Sequence, residues 1–299
     1  MRPLALLAAA LLVSPALAQD GGVIGEIDRT VDGFVTGIAG EGRLVGGVGV
    51  GMTSRPYTEA DDEVGFFPIP IVSYQSERFE FIGKTLEAQL FELDRVAFSA
   101  VGDWRFQGYD AEDSPALTGM DDRSGTLELG ARAKTTAFGV QVAGTALADV
   151  LSRHGGYELD LRASFELSRW RPLSVRPLAG VRYQSSSLAD YYFGVDPEEA
   201  AVPIACPAAS GRDCPASPSI VRPAYETGDA VVPFVGVTAR QALSRKVLVA
   251  GALQWDFLPS DITDSPIVEE DSQFFAFVGL AYAFGAPLGE GYEATREAR

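Results

Sequence analysis

The chain has 299 residues, of which 46% are hydrophobic and 22% charged, with a mean hydropathy of +0.08. That length suits one large all-β domain or two ordinary ones, and so average a hydropathy disfavours a helical membrane protein. A formal charge of −17 argues against nucleic acid as a partner, because phosphates demand basic patches.

The N-terminus holds the longest apolar stretch, LALLAAALLV from Leu4 to Val13, after the single cation Arg2. It leads into SPALA, with Ala16 and Ala18 in the small-residue positions of a cleavage site. A bilayer span takes ~20 residues, so residues 1–18 are expected to be a secretory signal peptide rather than a membrane helix. Residues 19–42 form a leader with a weak helical period through Ile27, Val31, Phe34 and Ile38, interrupted by Gly33 and Gly37. It is open whether this leader is a periplasmic partner-binding helix, a lumen plug or a poorly ordered segment.

From residue 43 to residue 284 the pattern is strand-like. In LVGGVGVGM, Leu44, Val48, Val50 and Met52 fall on one face opposite mostly glycine, and in VAFSAVGDWRF the residues Val96, Phe98, Trp104 and Phe106 are in phase. The glycines of GGVGVG lack the Lys and Ser or Thr of a phosphate-binding loop. They are read as leaving lumen space or permitting curvature. YELDLRASFEL is the clearest case: Tyr157, Leu159, Leu161, Phe165 and Leu167 alternate with Glu158, Asp160, Arg162, Ser164 and Glu166. A soluble sandwich shows the same alternation, with the polar face outside rather than lining a lumen.

Three features separate the two. Many segments reach the ~9–11 residues of a tilted membrane strand, where soluble strands cluster near ~5–6. Short links such as SRWRP and QALSR alternate with long acidic ones. Aromatic residues sit near segment ends, as an interfacial girdle requires: Trp104, Phe106, Tyr183, Tyr191, Tyr192, Phe193, Trp255, Phe257, Tyr282 and Phe284. The expectation is an all-β, closed antiparallel transmembrane barrel in the Gram-negative outer membrane. It has twelve strands, or ten if the short hairpin in RFEFIGKTLEAQLFEL does not span. Both termini then lie in the periplasm and every acidic loop outside.

The last strand, QFFAFVGLAYAF, carries Gly279, Tyr282 and Phe284 in a spacing that resembles the signal read by the barrel-assembly machinery, and residues 285–299 follow as a charged tail, expected to be a disordered periplasmic extension. Cys206 and Cys214, the only cysteines, lie in the longest expected extracellular loop of an exported chain, so a disulfide is expected. His154 is the only histidine. As the base of a phospholipase it would need a serine such as Ser152 or Ser164 beside it, and an exposed loop histidine is the preferred reading. Neither a zinc set nor a regular calcium loop is present, so no metal or cofactor is expected.

The succession GVGVGMTSRPY, FFPIPIVSY, RFEF, PALTGMDDRSGTLELGA, YYFGV and DITDSPIVEEDSQFFAFVGLAYAF resembles the MipA/OmpV family of outer-membrane proteins. The resemblance implies a non-enzymatic barrel that acts as a scaffold between a lytic murein transglycosylase and a murein synthase. Some members are described instead as porin-like or adhesive. Docking from the periplasm would fall to residues 19–42, the tail, and the basic turns holding Arg169, Arg171, Arg245 and Lys246. As a pore, the inward charges Glu158, Asp160, Arg162 and Glu166 would tune ion selectivity.

Overall fold

The computed structural model describes residues 42–58, 64–167, 173–202, 204–205 and 219–284. The expected signal peptide, the leader up to residue 41 and the tail lie outside the described residues. So do Arg169, Arg171, Cys206 and Cys214.

Twelve antiparallel strands close into a barrel. In chain order they are β1 (Arg43–Ser54), β2 (Val64–Gln75), β3 (Phe79–Ile82), β4 (Thr85–Leu93), β5 (Val96–Arg105), β6 (Thr126–Ala137), β7 (Val140–Asp149), β8 (Tyr157–Phe165), β9 (Leu173–Gln184), β12 (Ala230–Ala242), β13 (Val247–Phe257) and β14 (Ser272–Phe284). The numbers β10 (Ile204–Ala205) and β11 (Ser219–Ile220) belong to a two-residue ladder within the longest loop. That ladder draws together the two ends of the segment that holds both cysteines. Each barrel strand pairs with its sequence neighbour, β9 pairs with β12, and β1 closes on β14 with Gly49 opposite Gly279. The hairpin β3–β4 belongs to the barrel, which decides for twelve strands over ten.

Alternation orients the wall. Leu159 and Leu161 are 46% and 54% exposed on the outside, while Glu158 and Asp160 between them are 7% and 5% exposed on the inside. The outer face is thus apolar and meets lipid, and the inner face holds the charge. Short turns close the end at which β1 begins and β14 ends, and two of them, Asp94–Arg95 and Phe138–Gly139, have only two residues. At Phe138–Gly139 both residues have positive φ, 52° and 77°, the conformation that matches the twist of a tight hairpin and that glycine adopts at no steric cost.

At the β14–β1–β2 seam the small face turns inward, as the alternation required. The space that the glycines leave is nevertheless taken. A Cβ on Gly49 would stand 2.6 Å from the Phe277 ring and from the Val278 carbonyl oxygen, and one on Gly279 would stand 2.5 Å from Ile71 Cδ1. Ile69, Ile71, Phe67 and Phe277 lie flat over the glycine track. The glycines therefore serve close packing against the inner wall rather than an open lumen.

Four extracellular connections build a second layer. Helix α1 (Ser186–Phe193), the short helices α2 (Pro197–Ala200) and α3 (Ser260–Thr263), and a 3-10 turn at Pro115–Leu117 pack over the barrel mouth. Their core includes Tyr57, Leu117, Leu188, Tyr192, Phe193, Ile262 and Ile267, all but Tyr57 exposed by 2% or less. Tyr192 and Phe193 are accordingly core residues of this cap, not members of the expected membrane girdle. Trp104, Phe106 and Phe257 remain exposed on the outer surface.

Candidate functional site

The densest chemistry lies inside the wall directly beneath the cap. Residues of β5, β6, β8, β9 and β13 whose side chains point inward at the extracellular end form one belt of charges. Arg105 Nε lies 2.9 Å from Glu128 Oε1 and its Nη2 2.6 Å from Glu158 Oε2. Arg182 continues the belt to Glu158 at 3.3 Å and to Asp256 at 3.1 Å, and Arg162 holds Asp160 at 2.7 Å. The guanidinium groups of Arg162 and Arg182 stand 5.5 and 5.2 Å from the centre of the Phe234 ring, which is buried between them. Lower down, Arg132 and Lys134 bracket Glu87 at 2.8 and 3.0 Å.

Such burial is tolerable only because each charge has partners. A lone ion moved out of water costs several kcal/mol, roughly what a well-placed counter-ion and hydrogen bonds return. The belt is therefore a locked structural element. Glu158, Asp160, Arg162 and Glu166 all point inward as expected, yet all four are engaged in ion pairs, Glu166 with Arg176 at 3.3 Å. Paired charge of both signs makes a poor selectivity filter.

His154 corrects the sequence reading. It is not an exposed loop residue but only 7% exposed, with its ring wholly buried. Nδ1 accepts the N–H of Gly156 at 3.0 Å, which places the ring proton on Nε2, and Nε2 donates to Glu128 Oε1 at 3.2 Å. With both nitrogens engaged, neither is available to activate a serine. The burial arises because Asp149 folds the loop back, accepting the backbone N–H groups of Leu151, His154 and Gly155. That Asx-type closure was the signal in the sequence, Asp149 standing before SRHGG.

The acidic loops are likewise less solvated than their composition suggests. Glu199 is 5% exposed, pairs with Arg123 at 2.8 Å, accepts the Asp121 N–H at 2.8 Å, and caps α2 through the Asp196 N–H at 3.0 Å. Arg222 reaches from the same long loop to the carbonyl oxygens of Ala116 and Thr118. Burial pushes the Asp190 carboxyl up, against the hydrogen bond it accepts from the Thr227 N–H, and burial likewise pushes the Tyr57 hydroxyl well above its ordinary value. Among the described residues no cluster of three or more His, Cys, Asp or Glu is placed to hold a metal ion.

The other expected site residues lie apart from the belt. Gly279 faces inward at the β1–β14 seam, and Tyr282 and Phe284 face outward with ring centres 5.1 Å apart. Arg245 is exposed in the turn between β12 and β13, whereas Lys246 is half-buried, its ammonium 5.7 Å from the centre of the Tyr282 ring. Arg245 and Lys246 thus share one turn but not one environment.

A family model described as MltA-interacting protein MipA matches residues 46–284. The chain belongs to the MipA family. A putative outer-membrane protein YiaT of Escherichia coli K12 is 27% identical over 240 residues, covering 80% of this chain and 89% of its own length. The MltA-interacting protein of the same organism is 26% identical over 247 residues, covering 82% and 91%. The outer-membrane protein OmpV of Vibrio cholerae is 26% identical over 215 residues, covering 69% and 76%. Among solved structures, the Ralstonia pickettii toluene transporter TbuX has a TM-score of 0.37 at 12% identity, over 84% of this chain and 91% of that one. Like its MipA-family relatives, the protein is an outer-membrane barrel, and those relatives are named as outer-membrane or interacting proteins rather than as enzymes.

Proposed function

We propose that this MipA-family barrel is a non-enzymatic scaffold that holds a murein transglycosylase and a murein synthase at the inner side of the outer membrane. The observation that carries the reading is the extracellular end: four loops share a core over the mouth, and the charges beneath them are paired. A barrel closed in this way serves free diffusion poorly, so its working surfaces are its two faces. Murein lies beneath the outer membrane, and the name of one relative refers to MltA interaction.

The docking surface in this reading is the periplasmic turn at Arg245 and Lys246, with Arg169, Arg171, residues 19–42 and the tail. Basic turns attract acidic partner surfaces and speed encounter. Lys246 also rests on Tyr282, so of the two residues in this turn it is Arg245 that can be altered without disturbing the last strand.

The test is affinity capture of the full-length protein from outer membranes. Murein enzymes are expected to co-purify, to remain when the acidic loop from Glu198 to Thr227 is deleted, and to be lost when residues 19–42 are removed or Arg169, Arg171 and Arg245 are neutralised. Binding lost with the long loop and kept without the periplasmic surfaces overturns the assignment in favour of an external ligand. Conductance of the purified protein in planar bilayers would favour a pore instead.

A further inference from the structure

The barrel wall is incomplete at one place. β2 pairs with β1 along its whole length, from Val64 to Gln75, but on its other side β3 reaches only Ser73, Tyr74 and Gln75. The hairpin then turns at Gly83 and Lys84, and the Gly83 N–H makes the last bond to β2, on the Val72 carbonyl at 3.0 Å. Among the described residues, 64–71 of β2 have no strand on that side, which leaves roughly 25 Å of open edge at ~3.3 Å per residue. The open edge stands above a hairpin whose turn is one to two strand spacings away from β5, where the Trp104 N–H closes the far corner on the Lys84 carbonyl at 3.1 Å.

The residues bordering the gap belong to the apolar outer face. Phe66 and Val72 on β2, Leu86 on β4 and Trp104 on β5 all point outward and are 66%, 42%, 48% and 40% exposed. Above the gap, a strap from the β5–β6 loop crosses to the β1–β2 loop. Arg55 and Asp113 pair at 2.8 Å, and the Ser114 hydroxyl donates to the Thr58 carbonyl. The gap is therefore a window, framed by β2, the β3–β4 hairpin, the end of β5 and this strap.

An unpaired strand edge in hydrocarbon is costly, because each unsatisfied backbone group costs several kcal/mol. The sequence relieves half of the problem. Since the Val72 carbonyl faces β3, every second residue before it faces the same way, and two of these are Pro70 and Pro68. Neither has an N–H to leave unpaired, and neither can donate to an added strand. The PIPI sequence thus fits an edge that stays open and does not recruit a strand from a second copy.

Behind the window the lumen wall is apolar. Phe67, Ile69 and Ile71 of β2 and Phe275 and Phe277 of β14 face inward, and Phe67 and Phe275 keep 38% and 39% of their surface open to the interior. The belt of charges starts at Arg105 on β5, the far frame of the window, and runs away from β2, while Lys84 in the hairpin turn is paired with Asp103 of β5. Ile82, at the lower edge of the window, is 56% exposed.

We propose that this window is a lateral entrance by which a small apolar molecule dissolved in the outer leaflet reaches the apolar wall formed by Phe67, Ile69, Ile71, Phe275 and Phe277. The route runs between lipid and lumen and does not pass through the cap. It is independent of murein-enzyme docking, since the periplasmic turns play no part in it.

The experiment uses the full-length protein folded in phospholipid vesicles, with a diazirine-bearing naphthalene added in the lipid. After illumination, mass spectrometry locates the attached probe. Label is expected on Phe67, Ile69, Ile71 or Phe275, competed by unmodified naphthalene, alongside label on lipid-facing Leu159 and Leu161. In Ile82→Trp, which narrows the lower edge, the inward label is expected to fall to background while the outward label stays. Ile69→Ser, which keeps the window but makes the wall polar, is expected to weaken competition by naphthalene without altering the outward label. Heat-modified gel mobility checks that each variant is folded. Label confined to outward residues in the parent protein overturns the proposal. So does inward label that Ile82→Trp leaves unchanged, which would mean entry from water.

Discussion

The two sides of the barrel solve the same problem differently. On the β5–β9 and β13 side, long strands bring Arg105, Arg182 and their carboxylates into one buried belt, so the interior is filled by ion pairs. On the β14–β1–β2 side it is filled by Ile and Phe side chains laid over glycine, and the wall beside it stops short at β3. The charged side depends on every partner being present. The apolar side depends on small volume and tolerates an open edge.

The strongest way to break that contrast is to remove one ion. Arg105→Met leaves Glu128 and Glu158 buried without their shared cation and is expected to cost about 3–5 kcal/mol. Urea unfolding in lipid vesicles measures it, and a loss below about 1 kcal/mol, the range of an exposed pair, would mean that the belt is solvated.

Next comes the outer surface. Leu161→Arg is expected to cost ~2–4 kcal/mol if the position lies near the midplane. Arg162→Leu should cost less, because Asp160 keeps Arg182 within 4.0 Å. Equal effects of the two substitutions would contradict the assigned faces.

On the apolar side, Gly49→Val drives a Cβ into the Phe277 ring and the Val278 carbonyl and is expected to cost about 1–3 kcal/mol by overpacking. Adding Phe277→Ala should recover part of that loss. No recovery would show that the backbone contact, not the ring, sets the limit.

The smallest effect concerns the strap. Burial raises the Asp113 carboxyl, but the Asp110 N–H and Arg55 outweigh it and hold the group below its ordinary value. A depressed folded pKa means stability that is complete above the unfolded value, about pH 3.9, and lost as pH falls through the folded one. The protection of amides in residues 106–125 against hydrogen exchange, taken relative to the intrinsic rate at each pH, should therefore fall below about pH 4. The fall should be absent in Asp113→Asn, and a strap equally protected at both pH values would remove Asp113 from its support.

Much of the wall was legible because period-two alternation is local. Glu158 to Leu167 declared its two faces without any partner strand. The cap was not legible, since YYF and the acidic runs have no period that tells a girdle from a core. Tyr192 and Phe193 are buried by residues from three other loops, such as Tyr57, Leu117 and Ile267, which lie far away in the chain. The burial of His154 is hidden from the sequence for the same reason: its partner Glu128 comes from another strand.

By itself the sequence determined a chain of alternating strands with short and long connections and a small-residue face in the first and last of them. Those properties follow from neighbours in the chain, through side-chain alternation and turn chemistry. Only the tertiary structure decided which charges meet, that the loops share a core, and that β3 stops after Ile82, leaving the prolines of β2 on an open edge. Ion pairing, burial and strand register are set by contacts between distant segments, and register depends on the closure of the whole barrel, which no single segment specifies.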